Sequence, residues 1–232
     1  MQFTFYLILA LLLAPGLAFS GTIKGVATFS GEAHPLAPHK TGKYKKACGP
    51  EVPNETFIID NKGVKNVVLS LHGKNLKSAA GEYHLDQKKC RYEPHVLAMP
   101  VDSELKIHTS DPVNHNIHTY SFDNDPINIM FTPNQEAYSQ EIEEPEIIKV
   151  ECDLHSWMTA WVVVTPNSYF AVSSDDGSYE VPDVPPGKYK LTAWHETLGS
   201  LTKDVTIRNE AVRINFDFLE VSQEKARKKN VH

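Results

Sequence analysis

Apolar and polar residues alternate with a period of two over short stretches along most of this chain, as in Leu105-Lys106-Ile107-His108. Such alternation buries one face of a β-strand and leaves the other in water. It predicts strands at Thr22–Ser30, Thr56–Ile59, Val64–Leu71, Val101–Thr109, Ile147–Cys152 and Ala160–Thr165. Beyond Pro166 it predicts further strands at Phe170–Val172, Ser178–Val181, Lys188–Trp194, Asp204–Ile207 and within Ala211–Phe218. Asp175-Asp176-Gly177 and Pro185-Pro186-Gly187 are turn signals between alternating runs. No window sustains a helical period. Pro35–Lys46 and Ser121–Glu144 read as long loops, one with room for a short helix. The fold expected from this spacing is all-β, built as sandwiches.

One stretch breaks the pattern. Phe3–Phe19 is apolar and uncharged, is interrupted by Pro15-Gly16, and ends in Ala18-Phe19-Ser20. Small residues at Ala18 and Ser20 fit a signal-peptidase site with cleavage after Ser20. The run is short for a bilayer span, although Met1-Gln2 carries no basic residue, which leaves an uncleaved anchor as the alternative. The expected layout is a leader at 1–20, one β unit at 21–165, a second at 166–220 and a basic tail at 221–232. A periplasmic or secreted protein follows, with no stable membrane insertion after cleavage.

Formal net charge is −6, and the tail is itself basic through Lys225, Arg227, Lys228 and Lys229. The body is therefore acidic, which argues against a nucleic-acid partner. The three cysteines are Cys48, Cys90 and Cys152. Export favours a disulfide, and an odd count leaves one thiol over. Cys152 lies in Cys152-Asp153-Leu154-His155-Ser156-Trp157-Met158, beside an imidazole and a thioether. Cys48 and Cys90 have no such company, so they are the expected pair and Cys152 the free thiolate.

Thiolate, imidazole and thioether in one short loop suit copper better than zinc. A second imidazole has to come from elsewhere, and Asp111-Pro112-Val113-Asn114-His115-Asn116-Ile117-His118 supplies His115 after a predicted strand. His118, three residues on, should point to the other face. His95, His118 and His195 remain candidates for a second metal site, although a structural role is the simpler reading of each.

His115-Asn116-Ile117 followed by Cys-x-x-His-x-x-Met resembles the cupredoxins, the family of plastocyanin and amicyanin. The resemblance implies a Greek-key β sandwich in which His115, Cys152 and His155 are strong equatorial copper ligands and Met158 a weak axial one. It implies that Asn116 ties the two ligand loops together near Asp153, and that the His155 ring reaches the surface. The stretch from about Pro166 to Glu220, with Asp176-Gly177-Ser178-Tyr179 and Pro185-Pro186-Gly187-Lys188-Tyr189, resembles the carboxypeptidase-regulatory or transthyretin-like sandwich. The combination resembles bacterial exported proteins described as methylamine-utilisation-like. The implied role is electron transfer through type 1-like copper to a redox partner protein, with no enzymatic activity. The alternatives are copper delivery to an acceptor and a metal-free interaction module.

Overall fold

The computed structural model describes residues 20–33 and 35–219. The expected leader, apart from Ser20, and the basic tail lie outside the described residues. Among those described, the chain is largely β, arranged as several sheets, and no helix is long and apolar enough to cross a membrane.

Two sheets enclose the first core. A five-stranded sheet runs in the order Asn128–Phe131, His115–Tyr120, Ile147–Glu151, Thr159–Thr165, Val96–Pro100. A four-stranded sheet runs Tyr138–Ile142, Ser103–Thr109, Glu82–Lys88, Arg91–Glu93. Alternate residues of both point inward: Leu85, Leu105, Ile107 and Ile142 from the second sheet meet Ile117, Phe131, Val150, Val162 and Val164 from the first. Burial of these apolar faces is what joins the sheets.

A second core lies between Gly21–Thr28 with its partner Ser178–Val184 and a sheet ordered Phe170–Val172, Val68–His72, Gly187–His195, Gly199–Ile207. Ile23, Ala27, Val181 and Val184 pack on Leu69, Leu71, Leu191, Ala193 and Ile207. This corrects the expected break at 165/166. Strands 21–28 and 68–72 belong with the C-terminal strands, so the two sheets of the first core, residues 82–165, are inserted into the second sandwich. The reason is hydrogen-bond pairing between residues far apart in sequence, which local periodicity does not encode.

The two sandwiches share a third apolar layer of Val68, Val96, Ala98 and Val163, flanked by Trp161, Phe170 and Trp194. Strands that face a core on one side and this layer on the other are buried on both faces. That explains the unbroken apolar runs Val67-Val68-Leu69 and Val162-Val163-Val164.

The loop expected at Ser121–Glu144 holds two strands, Asn128–Phe131 and Tyr138–Ile142, each at a sheet edge. In the other expected loop, His39–Lys40 pairs with Glu51–Val52, and a 3₁₀ turn at Gly42–Tyr44 leads into a single helical turn at Lys45–Cys48. Gly42 takes φ +54° at the start of this turn, a conformation that suits glycine. Cys48 and Cys90 form a disulfide, with an S–S distance of 2.01 Å, and Cys152 is free and buried.

Candidate metal centre

Three elements deliver the site. Strand His115–Tyr120 begins with His115 itself. Strand Ile147–Glu151 ends one residue before Cys152, and strand Thr159–Thr165 starts one residue after Met158. The loop between them is held tight by its own backbone: Met158 N–H donates to the His155 carbonyl at 2.8 Å, and Cys152 N–H donates to the Met158 carbonyl at 3.1 Å. His155 is thereby folded back over Cys152.

Donor atoms of His115, Cys152 and His155 all lie within 4.8 Å of one another, and all three side chains are buried. The two Nδ1 atoms are 3.1 Å apart, and Cys152 Sγ is 3.7 Å from His155 Nδ1. Met158 is buried in the same core cluster as Cys152. His118, in contrast, is half-buried on the other face, beside Asp153 and stacked on Tyr120.

Asp111 orients the centre. Its Oδ2 lies 2.9 Å from His115 Nε2, which holds a proton on Nε2 and turns Nδ1 towards Cys152 and His155. The same carboxylate accepts the backbone N–H groups of Lys89 and Cys90 at 2.6 and 2.7 Å. Burial opposes ionisation of Asp111, but the hydrogen bonds from His115, Cys90 and Lys89 outweigh it and hold the carboxyl below its usual range. Burial likewise opposes the Cys152 thiolate. Hydrogen bonds from His115, His155 and the backbone N–H groups of Asn116 and Leu154 more than compensate and bring the thiol down to about 6. A low-pKa thiol and two imidazole nitrogens, converged in a buried pocket, make a donor set that fits a soft or borderline metal ion.

Asn116 closes the frame. Its Oδ1 accepts the Asp153 N–H at 2.6 Å and its Nδ2 donates to Asp153 Oδ2 at 2.8 Å, while its backbone N–H points at Cys152 Sγ at 3.5 Å. Tyr92, fully buried, donates its hydroxyl towards the carbonyls of Asn116 and Glu151, at 2.7 and 3.0 Å, so one phenol spans the strands that carry His115 and lead to Cys152.

A second group of donor atoms, Cys90, Asp111 and His115, also lies within 4.8 Å. Its sulfur is committed to the disulfide, so in this state the group offers no thiolate. Neither His95 nor His195 belongs to these donor groups among the described residues. His95 bridges the Thr159 carbonyl and the Glu196 carboxylate, which also accepts from Trp161 Nε1.

One residue departs from expectation and two others escape it. His155 is only 1 % exposed; its ring does not reach the surface because Tyr44 and Trp157 cover it, with ring centroids 4.3 and 5.2 Å away. Tyr44 and Asp111 were missed as parts of the site. Asp111 had a readable signal, a carboxylate four residues before a candidate ligand. Tyr44 had none, since its approach depends on the Cys48–Cys90 link.

A family model described as polysaccharide lyase family 4, domain II, matches residues 149–213. No curated protein matches the chain. Among solved structures, the chain is similar to a purple cupredoxin from Nitrosopumilus maritimus at 21% identity and TM-score 0.30, over 36% of this chain and 98% of that one. A point variant of amicyanin in its reduced Cu(I) form matches at 22% identity and TM-score 0.33, over 41% of this chain and 97% of that one. A copper-containing nitrite reductase from Thermus scotoductus SA-01 matches at 16% identity and TM-score 0.32, over 35% of this chain. The chain spans only 21% of that reductase. These are partial likenesses to proteins with cupredoxin folds, and the chemistry of this chain rests on its own site.

Proposed function

We propose that this chain is an exported, non-catalytic electron carrier with one type 1-like copper ion, held by His115, Cys152 and His155 with Met158 as a weak fourth donor. The observation that carries the reading is the convergence of one low-pKa thiol and two imidazole nitrogens within 4.8 Å in a buried pocket. Bound copper supplies a one-electron couple. The protein's part is to hold the donors in one arrangement. Asp111 locks the His115 tautomer, Asn116 and Tyr92 tie the ligand strands together, and the core excludes water. A frame of this kind suits both oxidation states with little rearrangement. The Phe3–Phe19 run and the Cys48–Cys90 disulfide both favour an oxidising compartment outside the cytoplasm.

A visible spectrum of the folded protein with one equivalent of cupric ion tests the reading. Thiolate-to-copper charge transfer gives an intense band that Cys152→Ser abolishes. A colourless cupric complex in folded protein would reject electron transfer. Preference for cuprous ion and ready surrender of the metal to an acceptor protein would instead favour copper delivery.

A further inference from the structure

We infer that the segment Thr41–Cys48 is a lid over the metal centre, latched by the Cys48–Cys90 disulfide. The segment touches the protein at few points. Thr41 and Cys48 are buried at its ends, Tyr44 is half-buried, and Gly42, Lys43, Lys45, Lys46 and Ala47 are exposed. Thr41 is tied to the far side of the turn: its N–H donates to the Pro50 carbonyl at 3.2 Å and its hydroxyl donates to the Gly49 carbonyl. The other anchor is the disulfide. Between these anchors, Tyr44 is the one side chain that reaches inward, and it lies edge-on to His155 and Trp157.

The covering is imperfect in a telling way. His155 Nε2 is buried and has no hydrogen-bond partner among the described residues. Enclosing a polar ring nitrogen without a partner is unfavourable, and opening the lid returns it to water. A segment with few buried contacts that confines such a group is poised between closed and open states. The disulfide biases it to closed.

The latch is wired to the centre. Cys90 N–H donates to the Asp111 carboxylate that also holds His115, and the Cys90 carbonyl accepts from Trp157 Nε1 at 3.0 Å. Cys48 is 8 % exposed and Cys90 1 %, so an attacking thiolate reaches Cys48 first. With a dithiol reductant, one reagent thiolate bonds to Cys48 sulfur. Cys90 sulfur leaves as thiolate and takes a proton. The second reagent thiol then displaces Cys48, which also leaves and takes a proton, and the reagent departs as its own disulfide. Reduction frees the lid and leaves the Cys90 thiol beside Asp111 and His115. The lid rests on the copper reading only for what it guards; its existence is testable without metal.

The test uses the full, metal-free chain treated with diethyl pyrocarbonate, with carbethoxylation followed at individual histidines by peptide mass mapping. His84, about half exposed, is the internal reference. In oxidised protein His155 reacts slowly. Tyr44→Ala, which keeps the disulfide, the pair Cys48→Ala with Cys90→Ala, and reduction by dithiothreitol each raise the His155 rate by roughly tenfold or more relative to His84. Tyr44→Phe stays protected. Low urea leaves these rates unchanged, because opening a lid exposes little surface, whereas global unfolding would respond steeply. The inference is overturned if His155 already reacts like His84 in the oxidised protein. It is equally overturned if His155 stays protected without the Tyr44 ring or the disulfide. A colourless copper complex would defeat the proposed function and leave the lid standing; a protected His155 in unlatched protein would do the reverse.

Discussion

At the scale of single residues, Asp111 does three tasks with two oxygens. It receives His115 Nε2 and the N–H groups of Lys89 and Cys90. Asp111→Ala frees the His115 ring and strips a buried N–H of its acceptor. Copper affinity, measured by competition with a chelator, is expected to fall roughly 10–100-fold, as for other groups that orient metal-ligating histidines. An unchanged affinity would show that the Nδ1 lone pair of His115 needs no such control. Met158 poses a different question. Met158→Leu keeps the buried volume nearly constant but removes the thioether. Copper is expected to stay bound, with a higher reduction potential by protein voltammetry, because loss of a donor disfavours the cupric state. An unshifted potential would remove Met158 from the ligand set.

At the scale of elements, the centre is two loops joined by hydrogen bonds. Asn116 couples the start of the His115–Tyr120 strand to the Cys152 loop through both amide atoms. Asn116→Ala leaves the Asp153 N–H without its partner. The expected cost is about 0.5–1.5 kcal/mol in urea unfolding of the metal-free protein, since the N–H of exposed Asp153 can turn to water, together with a broader visible band in the copper form. No change in either would mean that the loops are held by Tyr92 alone. What was legible here was local. The alternation in Val101–Thr109 and Ala160–Thr165 marked strands because one face of each is buried, and Cys152 and His155 share one loop. The cysteine count pointed to the Cys48–Cys90 pair that the structure contains. Asn128–Phe131 and Tyr138–Ile142 were illegible because, as edge strands, they bury only Phe131 and Ile142 fully. The lid was illegible for another reason: no periodicity marks a segment whose position is set by a crosslink 42 residues away.

At the scale of the whole molecule, the chain crosses between sandwiches, so neither can be cut off at Pro166. A chain ending at Thr165 loses Ser178–Val184 and Gly187–His195, the partners of strands Gly21–Thr28 and Val68–His72. Ile23, Leu69 and Leu71 would then be uncovered. Such a chain is expected to aggregate on size-exclusion chromatography, and a monodisperse, copper-binding product would show that the sheets of residues 82–165 fold alone. The second sandwich also carries its own acid sensitivity. His195 is 1 % exposed, and its Nδ1 accepts the N–H groups of Thr197 and Leu198, at 3.2 and 3.4 Å. Burial pushes it down from 6.5 to about 4, helped by nearby His95 and opposed by Glu196. The unfolded chain therefore takes up this proton below pH 6.5 while the folded chain refuses it until about pH 4. Stability present above 6.5 drains away across that window, by about 3 kcal/mol in full. His195→Asn offers an acceptor that does not titrate in this range. The variant starts less stable, because Phe57 and Phe218 lose a packed ring, but its urea midpoint should fall less steeply between pH 7 and pH 4.5 than that of the parent. Carboxylates common to both proteins cancel in the comparison. Parallel slopes would mean that the folded protein already accommodates a charged His195, and that the tie between its ring and the turn at Thr197 gives way before the sandwich does.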